Sequence, residues 1–351
     1  MSTKLKLKYS SSIRDVTKYL LEKNNTIILG QGVKDHIKLW GTLSDIPKKF
    51  EEKIIDVPLS EDSIAGICLG LSLNKFYPIN THIRADFSLL MFNQLINMGA
   101  KYKYMFGGLF STPCIFRLVV GRSWGQGAQH SQSFQSMLGH VPGIRVFMPA
   151  TSQDIFDCYK FAYYNCDCPV VIFEHRLLYE LEFYYQNKSN DFLPTPIEKK
   201  GNDLTIVATS VLVIEAIRAA KYFKKYGVSI EVLNLRDITF PCKDTILSSV
   251  RKTKLLLVAD ISWENYGVGS EIVSLVAKNG FDSLMAPPKT LGMPFAPCPT
   301  AKSLEDVYHP SFYDIVKSIK ELLLTKDLGK EIPVPKQEAS TDTFKHFKGP
   351  F

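Results

Sequence analysis

An α/β fold of two consecutive domains, each with a mainly parallel sheet covered by helices, is predicted by three observations on this chain. Short apolar, β-branched runs alternate with segments of helical period, as parallel strands joined by crossover helices do. The alternation is interrupted by one polar stretch with two prolines, YYQNKSNDFLPTPIEKKGND (184–203), and then resumes. The 351 residues are enough for two cores of ordinary size.

In the first series the predicted strands are TIILG (26–30), KIIDV (53–57), CIFRLVV (114–120), IRVFM (144–148) and PVVIF (169–173). Helices are predicted over 60–74, 86–102 and 152–165, where apolar residues recur at three- and four-residue spacing. The second series brings strands LTIVAT (204–209), VSIEVLNL (228–235) and KLLLVAD (254–260), with helices over 211–227, near 268–279 and 311–325. The expected boundaries are therefore a first domain over 1–185, a linker over 186–203, a second domain over 204–328 and a tail over 329–351 without a core pattern.

Composition narrows the function classes. A 45% hydrophobic and 22% charged chain is expected to be globular, and no apolar run is long enough for a membrane span. The formal charge of +7 is scattered and not gathered in a stripe, which argues against nucleic-acid binding. The start, MSTKLKLKYSSSIR, is basic but lacks the apolar segment of a secretory signal. It reads as a disordered basic start, and the expected compartment is the cytoplasm, or the mitochondrial matrix if the source is eukaryotic. Seven scattered cysteines, with Cys166 and Cys168 lacking a second pair, point to neither disulfides nor a cysteine-held structural metal.

The stretch GRSWGQGAQHSQSF (121–134) opens two readings. GRSWG matches the nucleophile elbow G-x-S-x-G, and Ser123, Asp260 and His309 occur in the chain order of an α/β-hydrolase triad. Against this, Gly125, Gln126 and Gly127 extend the loop where an elbow needs a helix to start at once, and Asp260 and His309 fall in the other predicted domain. GQGVKD (30–35) has Asp35 where the dinucleotide fingerprint needs its third glycine, so a nicotinamide dehydrogenase is not indicated.

GQGAQHSQSFQSMLGHVPGIRVFMPAT (125–151) and IIDVPLSEDSIAGICLGLSL (54–73) together resemble the beta subunit of the thiamine-diphosphate-dependent first component of 2-oxo acid dehydrogenase complexes. The resemblance continues through PVVIFEHRLLY (169–179), DLTIVATSVLVIEAIRAA (203–220), VLNLRDITFP (232–241) and VADISWENYGVGSEI (258–272) to about residue 328. It implies a pyrimidine-binding domain followed by a transketolase C-terminal-like domain. It further implies that Glu61 hydrogen-bonds N1′ of the cofactor pyrimidine, promoting the imino tautomer whose nitrogen removes the thiazolium C2 proton. From the residues alone, Ser60-Glu61-Asp62 is a helix start, with Ser60 as N-cap and two carboxylates near the positive end of the dipole; the two roles are compatible. By the same resemblance Leu59 and Ile83 lie beside the cofactor, Phe87 stacks on its pyrimidine, and His130 serves substrate or acyl acceptor at the site entrance. Ordinary core packing is the competing reading for Leu59, Ile83 and Phe87.

Several features depart from, or are missing from, the family pattern. The family holds the cofactor diphosphate through Mg²⁺ with a GDG motif, absent from this sequence; hard cations need such oxygen ligands. The chain is therefore expected to work with an alpha subunit that carries that half, as an α₂β₂ assembly, which in the dehydrogenases serves a lipoyl acyltransferase core. The family also holds a structural potassium ion, but YYNCDCP (163–169) is one residue longer than the usual pattern and no ligands are assigned. In NTHIRADFSLL (80–90), Thr81, His82 and Arg84 replace residues often apolar or acidic in the oxidative enzymes. If Arg84 faces the site it suits a carboxylate or phosphate; if it faces away it is a surface or interface residue. The donor's acyl or aldehyde unit then goes to a lipoyl group, or to an aldehyde as in split transketolase-like carboligases. A Ser123 nucleophile predicts covalent labelling of the isolated chain by an active-site phosphonate; a loop serine predicts none.

Overall fold

The computed structural model describes residues 5–122, 125–187 and 192–336. The chain forms two compact units, the first from 5–121, 130–187 and Phe192, the second from Arg122, 125–129 and 193–336. The α/β architecture with mostly parallel sheets is the one the sequence predicts.

In the first unit six strands lie in the order Ile54–Asp56, Thr26–Gly30, Tyr77–His82, Cys114–Val120, Pro169–His175 and Arg145–Phe147, every neighbouring pair parallel. One register row runs Ile54, Ile28, Ile79, Ile115, Val170 across five strands. Side chains in one row share a face, and branched residues pack well on a pleated surface. Cys114–Val120 and Pro169–His175 are buried along their whole length, as strands covered on both faces must be. Helix Ser152–Asn165 starts at a capping box in which Asp154 N donates to Thr151 Oγ1 and Asp154 accepts from Thr151 N.

Two expectations for this unit are corrected. The basic start is ordered from residue 5: Leu5–Lys8 pairs antiparallel with Glu182–Tyr185, and Lys6 and Lys8 meet Glu182 and Glu180 at 2.6 and 2.9 Å. Alternating lysines opposite alternating acids explain the pairing. The region 86–102 is not one α-helix. Ala85–Met91 is a 3₁₀ helix and Asn93–Gly99 a π-helix, in which Ala100 N reaches Leu95 O; a short α-helix, Tyr102–Met105, follows. Its apolar residues do not form one buried face, since Leu89 and Leu90 are exposed.

A buried ion pair joins the neighbouring strands Cys114–Val120 and Pro169–His175. Arg117 Nε and Nη2 donate to Glu174 Oε1 and Oε2, both at 2.9 Å, with the two side chains almost wholly excluded from solvent. Tyr159 and Tyr179 hydroxyls also donate to Glu174, and Arg117 Nη2 reaches Thr42 Oγ1 at 3.2 Å. A charge removed from water this completely is tolerated only when paired and hydrogen-bonded.

In the second unit the strand order is Lys289–Met293, Leu256–Trp263, Leu204–Ala208, Ile230–Asn234, Ile197–Lys199. The last is antiparallel and comes from the stretch expected to be linker. Helices Lys243–Thr253 and Val268–Gly280 bury Ile246, Val250, Ile272 and Val276 against Val207, Leu256 and Val258 of the sheet. Among the described residues no helix is long and apolar enough to cross a membrane, and all seven cysteines are free thiols.

Glu174→Ala is expected to lower unfolding free energy by about 3–5 kcal/mol in chemical denaturation, because it strands the Arg117 charge in the core.

Candidate functional site

Three parallel strands end side by side at Gly30, Asp56 and His82, and a shallow cleft opens beyond their carboxyl ends. This is where parallel sheets generally leave a binding crevice. Its walls are Gln31, Val57–Glu61, Ile64, Asn80–Ile83 and Phe87. Gly30 is needed for the strands to close up here: a Cβ would lie 2.7 Å from Val33 Cγ1 and 3.0 Å from Thr81 O.

Glu61 is the first residue of helix Glu61–Leu73 and is half-buried. Ser60 occupies the N-cap position, with φ −162° and ψ 67°, but its hydroxyl makes no capping bond, so the sequence expectation of a side-chain cap is corrected. Leu59 is 68% exposed, which rules out the core reading for this residue. Ile83 and Phe87 are half-buried at the same opening. Apolar surfaces left partly open beside a carboxyl group suit a flat, polar-edged ring.

The floor is polar. Asn80 Oδ1, Thr81 Oγ1 and His82 Nε2 are buried and have no hydrogen-bond partner. Buried polar atoms are nearly always satisfied, so those of Asn80 and His82, alternate strand residues that share one face, call for a ligand or water. Burial lowers the His82 pKa to about 4, so the imidazole is neutral near pH 7.

His130 reaches this site from a separate loop. Its ring meets Phe87 edge-on, with centroids 5.5 Å apart and an interplanar angle of 86°. The loop is tied down by Asp86, whose Oδ1 accepts from Gln132 N at 3.2 Å and Gln132 Nε2 at 2.8 Å. Burial pushes the Asp86 carboxyl above its usual value, while the Gln132 hydrogen bonds act in the opposite sense.

The structure thus gathers Leu59, Glu61, His82, Ile83 and Phe87 around one cleft, with His130 against Phe87. Arg84 is not among the described residues lining it. It follows Ile83 on extended backbone, where successive side chains face opposite ways, and its guanidinium lies over Trp40 at 5.5 Å. Arg176 stacks on the same indole at 5.1 Å. Ser123 lies outside the described residues. Asp260 accepts from Thr209 Oγ1 at 2.6 Å and from Ser262 Oγ, and His309 Nε2 lies 3.6 Å from Cys298 Sγ. Sequence reasoning missed Gln31, Asn80 and Asp86. The polar run NTH at the end of an otherwise apolar strand was the signal for Asn80; no signal marked the other two.

Residues 6–182 match the transketolase pyrimidine-binding domain and residues 195–315 the transketolase C-terminal domain. The chain is 37% identical over 312 residues to the pyruvate dehydrogenase E1 component subunit beta of Bos taurus, covering 86% of this chain and 87% of that protein. With the Saccharomyces cerevisiae counterpart it shares 34% identity over 308 residues, covering 86% and 84%. Both relatives are mitochondrial proteins. A solved split-gene transketolase, an inactive beta4 tetramer, superposes with a TM-score of 0.71 at 20% identity over 91% of this chain and 97% of that one, a likeness of fold.

A histidine with a folded pKa near 4 and an unfolded value of 6.5 binds its proton only in the unfolded chain between those limits. His82 therefore leaves stability intact above pH 6.5 and removes it as pH falls toward 4, by about 3 kcal/mol in all. In denaturant titrations over that window, His82→Gln is expected to show a correspondingly shallower acid loss than the parent.

Proposed function

Because the chain belongs to the pyruvate dehydrogenase E1 beta-subunit family, built from transketolase pyrimidine-binding and C-terminal domains, we propose that it holds the pyrimidine half of thiamine diphosphate in a heteromeric 2-oxo acid decarboxylating enzyme. The observation that carries this reading is the cleft uniting Glu61 with Leu59, Ile83, Phe87 and unpartnered polar atoms on Asn80 and His82. These residues fit a flat heteroaromatic ring: apolar surfaces for its faces, and a carboxyl and polar side chains for its edge nitrogens.

Thiamine diphosphate, when bound, supplies the electron sink that stabilises the carbanion left by decarboxylation. In the proposed mechanism Glu61, a carboxyl at the mouth of the cleft, shares a proton with a ring nitrogen of the pyrimidine. Leu59 and Phe87 hold the ring and exclude water from it. His130, set against Phe87 and held through Gln132 and Asp86, is placed to move a proton for substrate or acceptor.

The diphosphate and its Mg²⁺ belong in this proposal to an alpha subunit with oxygen ligands, in an α₂β₂ assembly, since the chain lacks a GDG motif. No potassium ligand is assigned to this chain. The acceptor is proposed to be a lipoyl group on an acyltransferase core. The compartment is proposed to be the mitochondrial matrix in a eukaryotic source and the cytoplasm in a bacterial one. A second reading, a carboligase that passes the unit to an aldehyde, is supported by the polar floor, which suits a hydroxylated acceptor.

With its alpha subunit, the chain is expected to bind thiamine diphosphate and Mg²⁺ in calorimetric titration and to decarboxylate 2-oxo acids. Glu61→Ala is expected to lower turnover by about 100-fold or more. A stable complex that binds no cofactor would overturn the assignment. Transfer to lipoamide or to an aldehyde decides between the two acceptors.

A further inference from the structure

We infer that Cys298, Glu305 and His309 form a structural site for a divalent transition metal, zinc by the softness of its donors, in the second unit. The three side chains are buried, and their donor atoms all lie within 4.8 Å of one another. Cys298 Sγ and His309 Nε2 are 3.6 Å apart. A tetrahedral ion with bonds of about 2.3 Å to sulfur and 2.0–2.1 Å to nitrogen requires a separation of about 3.5 Å. Thiolate, imidazole and carboxylate are all ordinary zinc ligands, and the first two select against calcium and magnesium.

The local fold presents these donors together. Glu305 sits within helix Lys302–Tyr308 and His309 directly follows it, four residues on and so one turn away on the same side. Cys298 arrives on the loop after strand Lys289–Met293 and is buried among Met293 and Tyr308. That loop is held by its own hydrogen bonds: Trp263 Nε1 donates to Ala296 O at 3.0 Å, and Tyr308 Oη donates to the same oxygen at 2.5 Å. Donors fixed by surrounding bonds are what a preorganised metal site requires, here with three protein ligands and a fourth position left to a non-protein ligand such as water.

Carboxylates gather in this part of the unit: Glu305, Glu215, Asp306 and Asp314 all act on the buried guanidinium of Arg122. On binding, the Cys298 thiol gives its proton to solvent, a Zn–S bond forms, and no electron is transferred.

The consequence is local to the active-site loop's own anchor. Thr300, two residues from Cys298, packs under Gly127, where φ is +65° and a Cβ would lie 2.3 Å from Thr300 Oγ1. A metal at Cys298 fixes the segment on which the GQG turn rests.

The full chain, purified with its alpha subunit and without chelator, is expected to carry about one zinc per chain by plasma mass spectrometry. Cys298→Ala and His309→Ala are expected to lose nearly all of it, and Cys242→Ala to keep it. Cobalt exchanged into the parent protein is expected to give a thiolate charge-transfer band and the intense visible bands of tetrahedral cobalt, a readout that holds even if a variant fails to fold. Folded parent protein that takes up neither metal, or Cys298→Ala that keeps its zinc, would overturn the inference and leave the trio as a hydrogen-bonded packing cluster.

Discussion

Parallel pairing of Ile54–Asp56, Thr26–Gly30 and Tyr77–His82 is the constraint on which the rest of the first unit depends. Parallel strands all end at one edge, so each following loop emerges there, and backbone groups at that edge are freed from the ladder. Val57–Ser60 and Ile83–Arg84 are such loops, leading to Glu61 and Phe87, and these side chains meet because the strands before them flank the same strand, Thr26–Gly30. Gly30 lets the middle strand stand close enough for this to happen. A shift of register by one residue would turn His82 and Asn80 from one face of the sheet to the other.

The register is held from inside. The row from Ile54 to Val170 gives the sheet a continuous apolar layer, and burying each such side chain is worth roughly 1.5–3 kcal/mol. That layer does not by itself choose between neighbouring registers of similar residues. The Arg117–Glu174 pair does so more sharply, because its two-pronged geometry tolerates little displacement and its burial makes a mismatch expensive. Tyr159 and Tyr179 extend the same constraint to the helix and turn that cover the strands.

Two kinds of buried polarity thus serve opposite ends. Glu174 is saturated with donors and specifies structure. Asn80 and His82 keep unpaired atoms at the strand end, which stabilises nothing in the chain alone. Such atoms are retained where a ligand completes them, and their place beside Glu61 is why the cleft, rather than the larger hollow beside Lys103 and Tyr104, is read as the functional site.

Much of this was legible in the sequence. Strands such as Cys114–Val120 and helices such as Ser152–Asn165 follow from periodicity and capping, which are local. The motifs around Glu61, Phe87 and His130 marked them as candidates, and the fold brings Glu61 and Phe87 to one cleft with His130 against Phe87. The sequence did not show that 86–102 breaks into 3₁₀ and π turns, that the basic start pairs with Glu182–Tyr185, or that Arg84 lies on Trp40. These outcomes depend on partners distant along the chain. The same holds for Cys298, Glu305 and His309, whose spacing matches no metal motif. A sequence by itself determines the period and chemistry of each segment; only tertiary structure decides which donors, charges and faces meet, because those contacts are made across the fold rather than along the chain.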